Sequence, residues 1–327
     1  MKKHAHWSAL AVIACAAWLA GAPHADAADF PVKPIRVLVG FAPGGSADII
    51  ARSVSQKLAD AFRHPVVVDN RSGASGIIAA DLTAKANPDG YTLFEATMTT
   101  HGIGPNLYTK LPYDAVRDFE PVALMVRIPL VMFVNASTNT ATLKEFIALT
   151  RSPGGKFSYA SAGAGSPPHL VAELLKLKTG AQLVHVPYKG TGAALPDVVA
   201  GQVHMMIDGP PPFIPHVKSG KLRALAAASD KRNPLLPDVP TFSEAGVNGM
   251  EAGLWYGILA PRGTPKAIVT RLNTEINRAL AQPDLRERFV SQSVEIVGGT
   301  SESFGHYIGS ELKRWGEVVR AAQIKVE

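Results

Sequence analysis

Two stretches of this chain share one pattern, in which an apolar run ends at a turn of small residues and a helical pattern begins at once. The first is VGFAPGGSADIIAR at residues 39–52, and the second is YASAGAGSPPHLVAELL at 159–175. The apolar residues before the first turn are nearly continuous, as in a buried strand, whereas those after it recur at helical intervals. A strand joined directly to a helix is the building unit of an alternating α/β fold.

The same alternation continues through most of the chain. The first series predicts strands at 35–40, 65–68 and 91–95 and helices at 46–61 and 75–86. The second series predicts strands at 156–161, 183–188, 202–208 and 222–229 and helices at 167–178 and 191–200. This order indicates two units, each with a mostly parallel sheet flanked by helices.

Two apolar stretches, at 118–137 and 253–261, lack helical periodicity and are long enough to pass between two lobes. Helices then follow at 264–280, with Thr264 as the N-cap and Pro265 at the first position, and at 302–322. A chain of 327 residues that is 46% hydrophobic can bury two such cores. We therefore expect lobe 1 at 28–128 plus 255–327 and lobe 2 at 129–254, joined by two crossover strands.

The N-terminus has the pattern of a secretory signal peptide. Positive charge at MKK is followed by the apolar run WSALAVIACAAWLAGA and by the small-residue site ADA at 25–27. We expect cleavage after Ala27 and a periplasmic mature chain. An alternative is lipoprotein processing at Cys15, although the apolar run continues beyond that cysteine.

Composition excludes several classes of function. Cys15 is the only cysteine, so the mature chain has neither disulfides nor thiol chemistry. Cleavage removes two of the 33 basic and one of the 27 acidic residues, which leaves a net charge of +5. The basic residues are scattered without interleaved aromatic side chains, which argues against nucleic acid and is compatible with small anions.

Each of the two small-residue turns leads into a helix N-terminus, where free N–H groups and the helix dipole favour an anion. Glycine at 44, 45, 163 and 165 lets a ligand approach the backbone closely. The plainer interpretation is an ordinary strand-to-helix turn with a serine N-cap. Asp48 would repel an anion, so we interpret it as a carboxylate that braces the loop.

No catalytic or metal motif is complete. The segments GAGSPP, GGKF and GASG each lack an essential position of a dinucleotide, phosphate or nucleophile motif. Histidines 101, 169, 185 and 204 show no ligand spacing. We therefore expect no cofactor, no metal and no catalytic residue. His101, Tyr188 and Asp208 follow or end predicted strands, where ligands of open α/β sheets bind.

Several motifs in order resemble the Bug family, the solute-binding receptors of tripartite tricarboxylate transporters. They cover essentially the whole mature chain: FPVKPIRVLVGFAPGGSADIIAR, ANPDGYTL, LPYDAVRDFEPVAL, GAGSPPHLVAELL, HVPYKGTGAALPDVVAGQV, PHVKSGKLRALA and LPDVPTFSEAG. The resemblance implies a two-lobed type II periplasmic-binding-protein fold that closes around a small organic carboxylate. Prolines 210–212 depart from the family pattern and put the distal ligand contacts in doubt.

The resemblance also implies which residues bind the ligand. They are Phe41, Ala42, Gly44, Gly45, Ser46, Thr97 and His101 in lobe 1 and Ser161, Gly163, Gly165, Ser166, Tyr188 and Asp208 in lobe 2. We expect a monomeric receptor that delivers its ligand to a membrane permease. The alternatives are an exported enzyme acting on a carboxylate, with His101 or Asp208 as acid or base, and a ligand sensor without transport.

Overall fold

A computed structural model describes residues 30–325. The predicted signal peptide at 1–27, with its alternative at Cys15, lies outside the described residues. The strands are β1 (Ile35–Val39), β2 (Val66–Asn70), β3 (Thr92–Thr97), β4 (Phe119–Pro129), β5 (Val131–Asn135), β6 (Ser158–Ser161), β7 (Val184–Pro187), β8 (Met205–Asp208), β9 (Leu222–Ala227), β10 (Gly253–Pro261) and β11 (Glu295–Ile296).

The helices alternate with these strands. They are α1 (Ser46–Phe62), α2 (Ile77–Ala84), α3 (Gly104–Leu107), α4 (Leu143–Thr150), α5 (Pro167–Thr179), α6 (Thr191–Ala200), α7 (Ile214–Lys218), α8 (Lys266–Leu280), α9 (Pro283–Val290) and α10 (Ser301–Ala321). A π-helical turn, Met98–Ile103, follows β3, and 3₁₀ turns stand at Ala74–Gly76 and Ala136–Thr138.

The strands form two sheets. The first has the order β11-β4-β10-β3-β1-β2 and the second β7-β6-β8-β5-β9. We use "first lobe" for the first sheet with its flanking helices and "second lobe" for the second sheet with its own. The two-sheet α/β class that the sequence predicted is confirmed.

The expectation of mostly parallel sheets is wrong. In the first sheet β1 pairs in parallel with β2 and β3, but β10 pairs antiparallel with β3 and β4, and β11 antiparallel with β4. In the second sheet β6 is parallel to β7 and β8, whereas β5 is antiparallel to β8 and β9. Strands that pass between the lobes enter each sheet without a crossover helix, so they are free to pair antiparallel.

The predicted apolar crossing at 118–137 is two strands, since β4 ends at Pro129 and β5 begins after Leu130. Here the chain leaves one sheet and enters the other. It returns at β10, where Gly253 pairs with Pro129. Leu130 N–H also donates to Ala252 O at 3.2 Å. The two connections therefore lie side by side.

Some local predictions differ from the structure at their boundaries. Helix α8 starts at Lys266 with Pro265 as its N-cap, while Thr264 Oγ1 donates to Pro261 O at 2.8 Å. The helix predicted at 75–86 is a 3₁₀ turn followed by α2, because Ser75 has φ 55°. The pattern analysis did not predict α3, α4, α7, α9 or β11.

Candidate functional site

A cavity of about 230 Å³ lies between the two lobes. The carboxyl ends of β1, β3, β6 and β8 lead to it, as expected for ligand sites of α/β sheets. The first-lobe lining consists of Phe41, Gly45, Ser46, Ala47, Thr97, Met98 and Thr99, the second-lobe lining of Ala162, Pro167, Pro168, Thr191 and Asp208, and the returning strand β10 adds Leu254, Trp255 and Tyr256. We call it the interlobe cavity.

The first loop, residues 41–46, is held by Asp48 in the first turn of α1. Gly44 N–H donates to Asp48 Oδ2 at 3.0 Å, and Arg52 Nε donates to Asp48 Oδ1 at 2.9 Å. Gly44 has φ 85°, which allows the chain to turn back over this carboxylate. Burial alone would raise the pKa of Asp48, but the hydrogen bonds from Arg52 and Gly44 lower it overall. Asp48 thus braces the loop as an ionised, paired carboxylate.

A second brace comes from β2. Arg52 Nη2 donates to Asn70 Oδ1 at 2.9 Å, and Asn70 Nδ2 donates to Phe41 O at 3.0 Å. The chain of contacts from Asp48 through Arg52 and Asn70 therefore fixes both ends of the first loop. A site fixed in this way needs little reorganisation when a ligand arrives.

The bracing leaves hydrogen-bond donors at the N-terminus of α1. Within residues 30–325, the N–H groups of Gly45, Ser46 and Ala47 donate to no other protein group, and all three residues line the interlobe cavity. α1 has 17 residues, so its positive dipole end adds to these donors. An anion in the cavity would meet three free N–H groups there.

The second loop, residues 161–166, is arranged differently. Gly163 N–H donates to Ser161 Oγ at 3.1 Å, Gly165 N–H to His169 Nδ1 at 3.0 Å, and Ser166 N–H to Gly163 O at 3.1 Å. α5 then begins with two prolines, which have no N–H. The N–H groups of Gly163, Gly165 and Ser166 are thus used within the loop, whereas those of Ala162 and Ala164 donate to no protein group within residues 30–325, and Ala162 lines the interlobe cavity.

Two stacked histidines, His169 and His185, form hydrogen bonds with the second loop. The rings of His169 and His185 lie 3.9 Å apart between centroids with a 9° interplanar angle. His185 Nε2 is 2.6 Å from Ser161 Oγ. Burial lowers the pKa of His169, and it lowers the pKa of His185 to about 4, so both rings are neutral at pH 7. Neutral rings can stack without charge repulsion.

Asp208 is the acidic residue of the cavity lining. It ends β8 and is buried, with Thr191 Oγ1 donating to Oδ2 at 2.5 Å and Gly209 N–H donating to Oδ1 at 2.7 Å. Burial raises the pKa of Asp208 to about 6, and these two hydrogen bonds partly oppose that effect. At pH 7 and above Asp208 is mainly ionised.

A second buried acid, Glu95, lies on β3 two residues before Thr97. It has no exposed surface, and neither carboxyl oxygen has a hydrogen-bond partner in the described chain. Burial raises the pKa of Glu95 well above its usual value, and the nearby charge of Asp48 raises it further. Both effects favour the neutral form of Glu95. In the sequence, Glu95 stands out as an acidic residue within an apolar strand, but the pattern analysis did not single it out.

The predicted ligand-binding residues fall into three groups. Those that line the interlobe cavity are Phe41, Gly45, Ser46, Thr97 and Asp208. Those that flank lining residues in the two loops are Ala42, Gly44, Ser161, Gly163, Gly165 and Ser166. His101 and Tyr188 lie away from the cavity lining.

His101 is fully buried in the π-helical turn, with its ring 4.8 Å from that of Phe119 and 5.7 Å from that of Tyr113. Burial lowers its pKa to about 3. The π-helical turn after β3 places this ring in the core. The sequence shows that His101 follows a strand, but it does not show this turn. His101 therefore does not line the interlobe cavity, although the sequence placed it among the ligand-binding residues.

Tyr188 packs within the second lobe, and its hydroxyl donates to Asp197 Oδ2 at 2.7 Å. Prolines 210–212 also lie outside the cavity lining. The sequence analysis missed the lining residues Ala47, Met98, Thr99, Ala162, Pro167, Pro168 and Thr191, as well as the three lining residues of β10, Leu254, Trp255 and Tyr256. The only signal for these three was an aromatic pair in an apolar crossover stretch.

Among the described residues, no cluster of three or more histidine, aspartate and glutamate side chains is arranged to hold a metal ion. Over the same residues, 30–325, every helix is too short or too polar to cross a membrane.

A two-lobed α/β protein with a cavity between its lobes has the architecture of a periplasmic solute-binding protein. A model of the tripartite tricarboxylate transporter family receptor matches residues 50–324. The chain belongs to this family of receptors, which confirms the resemblance seen in its motifs. The family is one of solute-binding receptors, not of enzymes.

Individual relatives agree. The chain is 38% identical to protein BugT of Bordetella pertussis over 320 residues, which is 97% of this chain and 98% of that protein. A structure of R. palustris Rpa4515 with adipate is 35% identical, with a TM-score of 0.79 over 90% of this chain and 99% of the other. MatC from Rhodopseudomonas palustris with bound malate is 36% identical, with a TM-score of 0.75 over 89% and 100%.

Proposed function

We propose that this protein is a periplasmic receptor that captures a small organic carboxylate between its lobes and delivers it unchanged to a membrane permease. The observation that carries this proposal is the set of N–H groups of Gly45, Ser46 and Ala47, which have no acceptor in the described chain and belong to residues that line the interlobe cavity at the positive end of α1. The structures of relatives with adipate and with bound malate support the carboxylate class.

The proposed lobes are 28–128 plus 255–327 and 129–254, after removal of a signal peptide at 1–27. The side-by-side connections at Pro129 and Gly253 would act as the hinge between them. A ligand that contacts both lobes only when they are close shifts the population toward the closed form. The permease would then recognise that closed form of a monomeric receptor.

The ligand-binding residues that we propose are the cavity-lining members of the predicted set, Phe41, Gly45, Ser46, Thr97 and Asp208. Gly45, Ser46 and Ala47 would hold the carboxylate through backbone N–H groups. The other predicted residues of the two loops would shape the cavity rather than touch the ligand. A catalytic role for Asp208 is disfavoured, because both of its oxygens already accept hydrogen bonds from Thr191 and Gly209.

The test is a thermal-shift screen of the mature chain against organic acids, with the stabilising compound recovered and analysed by mass spectrometry. A ligand that binds only the native state raises the Tm. We expect a carboxylate to raise it and to be recovered intact. If no carboxylate raises the Tm, or if the bound compound is converted, the proposed function is wrong.

A further inference from the structure

The second loop is held by two histidine side chains that the proposed function leaves unused. Gly165 N–H donates to His169 Nδ1 at 3.0 Å. Ser161 Oγ lies 2.6 Å from His185 Nε2 and accepts a hydrogen bond from Gly163 N–H at 3.1 Å. Every second residue of this loop is thus tied to the histidine pair, either directly or through the Ser161 hydroxyl.

The residues between these contacts keep their N–H groups. In the described chain, the N–H groups of Ala162 and Ala164 have no acceptor, and Ala162 lines the interlobe cavity. Gly163 and Gly165 have φ angles of 130° and 75°, which side chains other than glycine rarely adopt and which let successive peptide groups point in different directions. Loss of the contacts at Gly163 and Gly165 would leave these peptide groups free to rotate.

The histidine pair is itself firmly supported. Its two rings stack at 3.9 Å, and the ring of Tyr159 lies 4.9 Å from that of His185 with an interplanar angle of 18°. The Tyr159 hydroxyl donates to Glu173 Oε1 at 2.5 Å, and Lys176 Nζ donates to the same oxygen at 2.7 Å. Burial lowers the pKa of His169, so its Nδ1 is unprotonated at pH 7 and can accept a hydrogen bond. Such support keeps the loop in one conformation before a ligand arrives.

From these contacts we infer that His169 and His185 are positioning residues for ligand binding. Their ring nitrogens hold the second loop in the conformation that leaves the Ala162 N–H available to an anion in the interlobe cavity. Neither histidine lines the cavity, so both act through the loop rather than by touching the ligand. This inference rests on the proposed receptor function and adds two residues on which its affinity depends.

The experiment separates the ring from its nitrogen. His169→Phe keeps a ring without a nitrogen, whereas His169→Asn keeps an acceptor for Gly165, since asparagine Oδ1 and histidine Nδ1 are both bonded to Cγ. His185→Phe and His185→Gln form the corresponding pair for Nε2. Dissociation constants for adipate, malate and benzoate are measured by calorimetry at pH 7.5, with circular dichroism to confirm folding. We expect the phenylalanine variants to bind about tenfold more weakly or worse, and the asparagine and glutamine variants to lose less than about threefold.

His204→Phe is the matched control. His204 Nδ1 accepts from Ser158 N–H at 3.1 Å, an equivalent contact at the opposite end of β6, and His204 lies outside the cavity lining. This variant should lower the Tm about as much as the other phenylalanine variants and keep the dissociation constants within about twofold of wild type.

Three results would overturn the inference and leave the proposed function intact. They are a comparable loss of affinity in His204→Phe, wild-type affinity in folded His169→Phe and His185→Phe, and equal losses in the variants that keep a ring and those that keep a polar atom. A wild-type protein that binds none of the three acids also overturns the inference, while the organic-acid screen decides separately on the proposed function.

Discussion

Nε1 of Trp255 donates a hydrogen bond to Oε2 of Glu311 at 2.9 Å, and this contact connects the interlobe cavity to the C-terminal helix α10. The same carboxylate oxygen accepts a second hydrogen bond, also 2.9 Å long, from Nε1 of Trp315. All three side chains are buried. One carboxylate thus satisfies two indole N–H groups, one of which belongs to a residue that lines the cavity.

This arrangement predicts a specific fluorescence signal. Of the four tryptophans, Trp7 and Trp18 fall in the proposed signal peptide, so the mature chain retains Trp255 and Trp315. Because only Trp255 lines the cavity, a bound carboxylate should change the emission of Trp255. Titration should show the change in wild type and in Trp315→Phe, and it should be absent from Trp255→Phe. A signal that disappears with Trp315 instead would place the ligand elsewhere.

Glu311 should matter for stability through its role as a shared acceptor. Glu311→Ala leaves two buried indole N–H groups without a partner, and each should cost about 1–3 kcal/mol in the free energy of unfolding. Glu311→Gln keeps an acceptor oxygen and should cost clearly less. Urea denaturation of the two variants measures the difference. Equal losses would mean that packing rather than hydrogen bonding dominates at this position.

A fixed negative charge at the first loop should weaken carboxylate binding strongly. Gly45 is in the extended region with φ −80°, and an added Cβ would meet only Ala42 O at 3.7 Å, so a side chain fits there. Gly45→Asp places a carboxylate next to the free N–H groups, and like charges this close cost about 1–4 kcal/mol. Calorimetry should show a loss of affinity of about tenfold or more.

The matched control for that variant is Gly45→Asn, which has almost the same shape and no charge. It should retain most of the affinity if charge is the cause. Similar losses in both variants would assign the effect to bulk. Gly44 is unsuitable for this purpose, because its φ of 85° strains any other residue.

The sequence predicted the alternating elements well because each has a strong local signature. The helix predicted at 191–200 is α6, and the apolar stretch at 253–261 is β10. What it could not predict was pairing direction, since whether a strand pairs parallel or antiparallel depends on where the chain crosses between the lobes. The split of the stretch at 118–137 by Leu130 has no local signal for the same reason.

The candidate site was harder to predict because it depends on backbone hydrogen bonds. The pair of glycines before α1 predicted free N–H groups at that helix N-terminus, and the N–H groups of Gly45 and Ser46 are free in the described chain. The segment SPP at 166–168 was predicted to be an equivalent anion site, although its two prolines have no N–H. His101 was predicted to bind the ligand because it follows β3 in the sequence. In the structure, the π-helical turn places its ring in the core instead. Tyr256 lies opposite Thr97 in the antiparallel pair, a proximity that only the register of β10 on β3 creates.

Tyr188 tests the distinction between residues that contact the ligand and residues that only support the cavity. Its hydroxyl donates to Asp197 within the second lobe, and Tyr188 is not among the residues that line the cavity. Tyr188→Phe should therefore lower the free energy of unfolding by about 1 kcal/mol through the lost hydrogen bond. The dissociation constant of the carboxylate should stay within about twofold of wild type. A large loss of affinity would return Tyr188 to the binding site.

The buried histidines predict that acid destabilises the protein. His101, His169 and His185 all have a pKa lowered by burial, to about 3 for His101 and about 4 for His185. In the unfolded chain each returns to about 6.5. Below pH 6.5 and above the folded values, the unfolded chain binds more protons, so the free energy of unfolding falls as the pH falls. His101 and His185 each contribute up to about 1.4 kcal/mol per pH unit in that window, and the lowered pKa of His169 acts in the same direction.

His101→Phe isolates one of these contributions. The ring is surrounded by Phe94, Tyr113 and Phe119, and its Nε2 has no partner in the described chain. Phenylalanine therefore fits the site and loses only the contact of Nδ1 with Thr100 Oγ1 at 3.0 Å. Asp208 has a raised pKa and acts in the opposite direction, but it is the same in both proteins. Urea denaturation at pH 7.5, 6.0 and 5.0 should show a shallower pH dependence in the variant, by about one proton. An unchanged slope would mean that His101 takes up a proton within the folded protein over this range.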